Sequence, residues 1–152
     1  SLSEEDVAYL SAIVHSMDDV ERWGDHATNL MEFAEFVYEH DVHFSPKGQE
    51  SLKQLFGLVK ANLDRAQQVI DNGFSESILE VTVLTEEQID ALVKELRNER
   101  TERLIQGEVS VSAAVIYVDI LTNLERVADH CLNVVQNFSR IHGEKVSDER
   151  RQ

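Results

Sequence analysis

The sequence predicts an all-α protein, an antiparallel up-and-down bundle of about four long helices. Apolar residues recur every three or four positions over long segments, which is the spacing of one helix face. The 152 residues include only six glycines and one proline, too few for a turn-rich β architecture. Hydrophobic residues make up 42% of the chain, enough for a core without disulfides. We expect one helical bundle domain over residues 1–143, followed by a polar, frayed tail at 144–152.

The first helix is predicted over residues 4–39, and the second begins near residue 45. Ser45 suits the N-cap, and Pro46 suits the first helical position, where its missing N–H is not needed. Asn72 and Gly73 supply a left-handed stop for the second helix. The predicted core face of the first helix consists of Val7, Leu10, Val14, Met17, Val20, Ala27, Leu30 or Met31, Ala34 and Val37.

The third segment, residues 78–105, is interpreted as one long helix, although a run resembling a capping box at 85–88 allows a break near residue 85. The fourth helix follows residues 107–112 and is predicted to end at 142–143. Acidic and basic side chains alternate on the third helix at the spacings of an exposed, solvated face. The acids of that face are Glu86, Glu87, Asp90, Glu95, Glu99 and Glu102. Four such helices bury their apolar stripes against one another, with the first and fourth side by side or diagonal.

The charge balance restricts the partners of the chain. Acidic residues outnumber basic ones by 29 to 14, so the net charge is −15. This field repels phosphate backbones and anionic lipids, which argues against nucleic acid and favours cations or basic protein surfaces. No apolar stretch approaches the roughly 20 residues that span a bilayer, so we expect no direct membrane insertion of this segment. The single cysteine, Cys131, lies in a helical apolar pattern and fits a reducing compartment, the cytoplasm.

A polar motif occurs twice, 104 residues apart, in the first and fourth helices. The motif is Glu-Arg-x-x-Asp-His-x-x-Asn, at residues 21–29 and 125–133. Shared apolar positions are expected of any two amphipathic helices, but matched polar residues are not required by packing. The two strings therefore indicate an internal duplication.

The duplicated acids allow two interpretations. Glu and Asp at i and i+4 lie on one helix face, where their charges repel, and two such pairs brought together would crowd four carboxylates. A divalent or trivalent cation would relieve that repulsion, with oxygen and imidazole ligands that suit Mg, Ca, Mn, Fe, Ni or Zn. Alternatively, the acids are solvated, Arg22 and Arg126 pair with neighbouring acids, and the histidines cover the edge of the core.

The strings VERWGDHATNL at 20–30 and LERVADHCLNV at 124–134 closely resemble the paired signature of PhoU proteins, the phosphate-uptake regulators. The resemblance implies a fold of two three-helix repeats, each with the signature on its last helix. On that mapping the first helix ends repeat one, the remaining helices form repeat two, and two helices of repeat one are lacking. The stretch ERTERLIQGE at 99–108 is similar to the PhoU-like tails of bacterial sodium/phosphate cotransporters.

The resemblance also implies a metal site on the bundle surface. By position, its ligands would be Glu21, Asp25, Glu125 and Asp129. The neighbouring motif residues are candidate secondary contacts, and they are His26, His130, Asn29 and Asn133. The cofactor would be a divalent or trivalent cation.

The function expected from the resemblance is non-catalytic regulation of phosphate transport. The chain would be the cytoplasmic part of a sodium/phosphate symporter, tethered to the inner membrane. Its partner would be a phosphate transporter, in the same chain or separate, and a homodimer is left open. One alternative is a free-standing PhoU-type regulator, and another is a metal-dependent hydrolase or redox enzyme that uses the same carboxylates. The chain contains no Gly-rich phosphate loop, and no Glu-x-x-His pair lies where a ferritin-like enzyme needs it.

Overall fold

In a computed structural model, the residues that the structure describes form four helices. They are α1 (Glu4–Glu39), α2 (Pro46–Asn72), α3 (Glu76–Ile105) and α4 (Val111–Glu149). The structure describes the backbone of residues 1–149 and the side chains of residues 1–143. Over that part of the chain there is no β-strand, which confirms the predicted all-α class. None of the helices described is both long enough and apolar enough to cross a membrane.

The helix boundaries follow the local signals in the sequence. The Ser45 side chain accepts a hydrogen bond from the Gly48 backbone N–H, and Pro46 occupies the first turn of α2, as predicted. Gly73 ends α2 with a φ of 90°, and Gly107 follows α3 with a φ of 73°. Both glycines adopt the left-handed region that side chains with a Cβ rarely enter.

The two long C-terminal helices differ from prediction in one respect. α3 is continuous through residues 85–88, which confirms the interpretation as a single helix. α4 does not end at 142–143 but continues through Gly143 to Glu149, so that predicted boundary is wrong. One glycine in a helix costs only about 1 kcal/mol, which is not enough by itself to end a helix. Residues 150–152 of the predicted frayed tail lie outside the described residues, and the domain boundary remains a prediction.

α2, α3 and α4 form a three-helix unit, and α1 lies antiparallel against the outside of α4. α4 contacts all three other helices, whereas α1 packs chiefly on α4. A hydrogen bond from the Tyr9 hydroxyl to the Ile70 carbonyl links α1 to α2. The largest apolar side chains buried in the core are Leu55, Val69, Ile89, Val93, Tyr117, Leu121, Val134 and Val135.

α1 buries a different face from the one predicted. Val14 and Met17, which belong to the predicted core stripe, are 63% and 60% exposed. Ala12 and Ser16 are buried instead. Their small side chains let the α4 backbone approach closely, so the contact with α4 forms on this narrower face. The core stripe predicted for α1 is therefore wrong over most of its length, and only Leu30 and Val37 of that stripe are partly buried. The stripe residues that the structure exposes are Val7, Leu10, Val14, Met17, Val20, Ala27, Met31 and Ala34.

Candidate metal centre and duplicated motif

Three carboxylates meet between α3 and α4. Glu86 and Asp90 occupy successive turns of one face of α3, and Asp129 lies opposite on α4. One oxygen from each lies within 4.8 Å of the other two. Because α3 and α4 run antiparallel, a Glu-x-x-x-Asp pair on each helix can face the other pair. Among the described residues, this is the one group of three or more acid, histidine or cysteine side chains placed to share a cation.

Glu86 is the buried member of the group. It is 6% exposed, and its Oε2 atom has no hydrogen-bond partner. Burial, a side-chain hydrogen bond with Asp129 and the nearby acidic charges raise the pKa of Glu86 to about 9. Burial and the charge of Asp129 also raise the pKa of Asp90. Without a cation, Glu86 therefore holds a proton at neutral pH, and one of its oxygens is unpaired.

Glu125 lies beside this group and has a cationic neighbour. Its Oε1 atom is 3.6 Å from Nη1 of Arg97, whose Nη2 donates a hydrogen bond of 2.8 Å to Oγ1 of Thr122. The pKa of Glu125 is raised above its ordinary value, chiefly by burial. The charge of Arg97 lowers this pKa, whereas the charges of Asp129 and Asp90 raise it. The four acids are thus electrostatically coupled, although Glu125 is not one of the three whose oxygens converge.

The donor set fits a hard cation. Carboxylate oxygens are the ligands that Mg²⁺, Ca²⁺ and Mn²⁺ prefer. An unpaired carboxylate oxygen in a buried position costs free energy, and a cation would remove that cost by replacing the proton. The orphaned oxygen of Glu86 therefore supports a cation at this point of the structure.

The predicted ligands fall in two places. Glu125 and Asp129 lie on the α4 face that meets α3, whereas Glu21 and Asp25 are exposed on α1 and belong to no converging group in the described residues. The structure adds two acids that sequence reasoning missed, Glu86 and Asp90. The interpretation of the α3 acids as a solvated face is wrong for Glu86, which is buried. The signal was present, because Glu86-x-x-x-Asp90 repeats the spacing of Glu125-x-x-x-Asp129.

The histidines and asparagines of the duplicated motif join α1 to α4. Nδ1 of His26 lies 3.0 Å from Oδ1 of Asn123, and the Asn29 amide donates a 3.1 Å hydrogen bond to the same oxygen. In the opposite direction, Nδ1 of His130 lies 2.8 Å from Oδ1 of Asp19. The amide of Asn133 donates to that oxygen at 3.1 Å.

These contacts are reciprocal. Asp19 and Asn123 are themselves 104 residues apart, like the two histidines, so each motif contacts the equivalent position of the other helix. The rings of His26 and His130 stack between them, with centroids 5.7 Å apart. α1 and α4 are therefore related by a local pseudo-twofold axis. The four candidate secondary contacts all find partners within this interface, and their role toward a metal remains a prediction.

The molecule is thus an all-helical domain with a group of converging carboxylates between two of its helices. Comparison with known families gives the closer assignment. The PhoU domain matches residues 52–138, more than half of the chain, so this chain belongs to the PhoU family. The matched range includes all four coupled acids, from Glu86 to Asp129.

Two curated relatives extend the comparison. The phosphate-specific transport system accessory protein PhoU homolog 1 of Thermotoga maritima is 29% identical over 134 residues, which are 84% of this chain and 54% of that protein. An uncharacterized protein of Deinococcus radiodurans is 27% identical over 146 residues, 92% of this chain and 50% of that protein. The chain thus spans about half the length of the curated relatives it matches. No solved structure matches it significantly.

Proposed function

We propose that this chain is a non-catalytic regulatory domain of phosphate transport that binds a divalent or trivalent cation between α3 and α4. The proposed ligands are Glu86, Asp90 and Asp129, with Glu125 as a fourth carboxylate. The observation that carries the proposal is the orphaned, buried oxygen of Glu86 within the acidic group. The regulatory role is supported by the PhoU family and by the name of the Thermotoga relative.

The cation would act by joining two helices. A bound cation would replace the Glu86 proton, and the acids of α3 and α4, which repel one another, would be attracted to a common ion. The separation of α3 and α4 then depends on cation occupancy. α4 also carries the interface with α1, so a change at the metal site can reach α1 through one rigid helix.

Metal content and calorimetry test the site directly. The wild type is expected to bind Mn²⁺, whereas Glu86→Gln and Asp129→Asn lose that binding because each removes a ligand charge. Glu87→Gln, at an exposed neighbouring position, is the matched control. Equal Mn²⁺ affinity in Glu86→Gln and wild type would contradict the assignment of Glu86 as a ligand.

Glu21 and Asp25 are proposed as a second, weaker cation site, because two exposed carboxylates offer fewer ligands than the α3–α4 group. The double variant Glu21→Gln/Asp25→Asn should lose only a low-affinity equivalent of Mn²⁺ and leave the tight site intact. A stoichiometry identical to that of the wild type would contradict this second site.

We further propose that this chain is part of a larger transport protein. The similarity of residues 99–108 to cotransporter tails supports a cytoplasmic domain of a sodium/phosphate symporter, tethered to the inner membrane. The partner would then be the transporter part of the same chain, and the charge of −15 suits a basic surface on it. The hydropathy of the residues encoded before Ser1 distinguishes this from a free-standing PhoU-type regulator, which would lack membrane spans there.

The exposed apolar face of α1 is proposed to pack against the two further helices that the resemblance implies for repeat one. The 104-residue offset supports this, because Met17 and Val20 correspond to Leu121 and Leu124, which are buried on α4. In the variant Met17→Cys, the new thiol should react quickly with a thiol reagent in the present chain and slowly in a chain that includes those helices. Equal reaction rates would contradict the proposed packing. The native Cys131 thiol is buried and its pKa is raised to about 12, so it should contribute little to the signal.

A further inference from the structure

Arg97 is the cationic side chain that contacts the proposed metal site. We infer that Arg97 is a positioning residue that holds Glu125 beside the acidic group and competes with a cation for it, which weakens cation binding. This inference rests on the proposed function. It concerns the regulation of that site: the concentration of cation at which the site fills.

The geometry holds the guanidinium between two points on α4. Nη1 faces Glu125 at 3.6 Å, and Nη2 donates to Thr122 at 2.8 Å. Thr122 and Glu125 are three residues apart, so they lie on the same face of α4. The Glu125 side chain is 25% exposed and that of Arg97 is 37% exposed, so water screens this pair only in part.

Glu125 is otherwise well placed to be a ligand. It lies one turn before Asp129 on the same face of α4, and the charges of Asp129 and Asp90 both reach it. Yet its oxygens are not among the three that converge within 4.8 Å. In the described structure, the group that Glu125 does contact is the Arg97 guanidinium. The ion pair with Arg97 therefore explains why only three carboxylates converge in the described structure, although all four acids are electrostatically coupled.

Arg97 opposes the binding of a cation in two ways. The positive guanidinium repels it, and the ion pair with Glu125 must break before that carboxylate can turn toward the metal. Both effects lower the affinity for the cation. Asp90 and Arg97 are seven residues apart on α3, so their α-carbons lie on the same face, two turns or roughly 10 Å apart along the helix axis.

The rival explanation is that Arg97 only links α3 to α4. A structural link predicts that Arg97→Gln lowers the unfolding temperature and leaves the cation affinity unchanged or weaker. A competing counter-ion predicts the opposite change in affinity. The two explanations therefore differ in the sign of the binding effect.

The experiment is calorimetric titration of the 152-residue chain with Mn²⁺. Arg97→Gln is expected to bind on the order of tenfold more tightly than wild type, about 1.4 kcal/mol. Arg97→Lys keeps the charge and should remain within about threefold of wild type, a change of less than 1 kcal/mol. Arg140→Gln is the charge-matched control, because Arg140 lies eleven residues beyond Asp129 on α4, roughly 16 Å away. Its affinity should match that of the wild type.

The outcomes separate this inference from the proposed function. If the wild type binds Mn²⁺ and Arg97→Gln binds no more tightly, the assignment of Arg97 fails and the metal site stands. If Arg140→Gln tightens binding as much as Arg97→Gln, the effect is one of net charge and the assignment also fails. If neither the wild type nor Arg97→Gln binds Mn²⁺, the result contradicts both the proposed metal site and the role of Arg97.

Discussion

Nδ1 of His130 on α4 lies 2.8 Å from Oδ1 of Asp19 on α1, and the pseudo-twofold axis relates this contact to that of His26 on α1 with Asn123 on α4. The duplicated motif therefore has two functions on two faces of one helix. Its histidine and asparagine join α1 to α4, and on α4 its acids face α3. The matched histidines and asparagines are explained by this interface pairing, independently of whether a metal binds.

The contact between His130 and Asp19 should stabilise the packing of α1. Asp19→Ala and His130→Ala are each expected to lower the free energy of unfolding by about 1–3 kcal/mol. Asp19→Ala leaves His130 and Asn133 without their acceptor, and His130→Ala removes one of the two partners of the Asp19 carboxylate. The double variant should cost less than the sum of the two, with a coupling of at least about 0.5 kcal/mol. Urea denaturation measures all three. His15→Ala, at an exposed position, is the control, and fully additive costs would contradict the pairing.

The raised pKa of Glu86 makes the stability of the cation-free protein depend on pH. In the unfolded chain this carboxyl loses its proton near its ordinary value of 4.5, whereas the folded protein keeps it until about pH 9. The folded state binds more protons in that window, so stability falls as pH rises through it. Glu86→Gln should remove much of this slope, and its advantage over wild type should reach at least about 1 kcal/mol near pH 8.

That comparison is made by urea denaturation in the presence of a chelator at several pH values. Asp90 and Glu125 also have raised pKa values, so a smaller slope in the same direction should remain in Glu86→Gln. Glu87→Gln should keep the wild-type slope. A constant difference between wild type and Glu86→Gln from pH 5 to pH 9 would rule out the buried, proton-holding state of Glu86.

Cation binding should stabilise the fold. At a free Mn²⁺ concentration of about 100 times Kd, the expected gain is about 2.7 kcal/mol, because only the folded state assembles the four acids. A chelator should reverse the rise in Tm. Asp129→Asn should show little or no rise, and an equal rise in this variant would place the bound ion elsewhere.

The two faces of α1 should respond differently to substitution. Val14→Gln, on the exposed face, is expected to change the free energy of unfolding by no more than about 0.5 kcal/mol. Ala12→Leu should cost about 1–3 kcal/mol, because α4 leaves no room for a larger side chain at a position that is 1% exposed. Thermal and urea denaturation would test both. Equal costs would mean that the α1–α4 contact differs from the one described.

Local features of the fold could be predicted from the sequence. Ser45 and Pro46 start α2, and Gly73 stops it, because caps and left-handed turns depend on residues within one turn of each other. The continuity of α3 and the all-α class follow from apolar periodicity over many turns. The Glu-x-x-x-Asp spacing of Glu125 and Asp129 places both acids on one helix face for the same reason.

Local sequence patterns predict the helices, their starts and the residues that share a face. Which of those faces meet depends on how the helices pack. α1 packs against α4 through the small residues Ala12 and Ser16, and not through its larger apolar stripe. Glu86 of α3 is buried, and its carboxyl group converges with that of Asp129. The physical reason is that helical periodicity is a local property that assigns residues to faces. The choice between two faces depends on how closely another helix can approach, and that depends on distant parts of the chain.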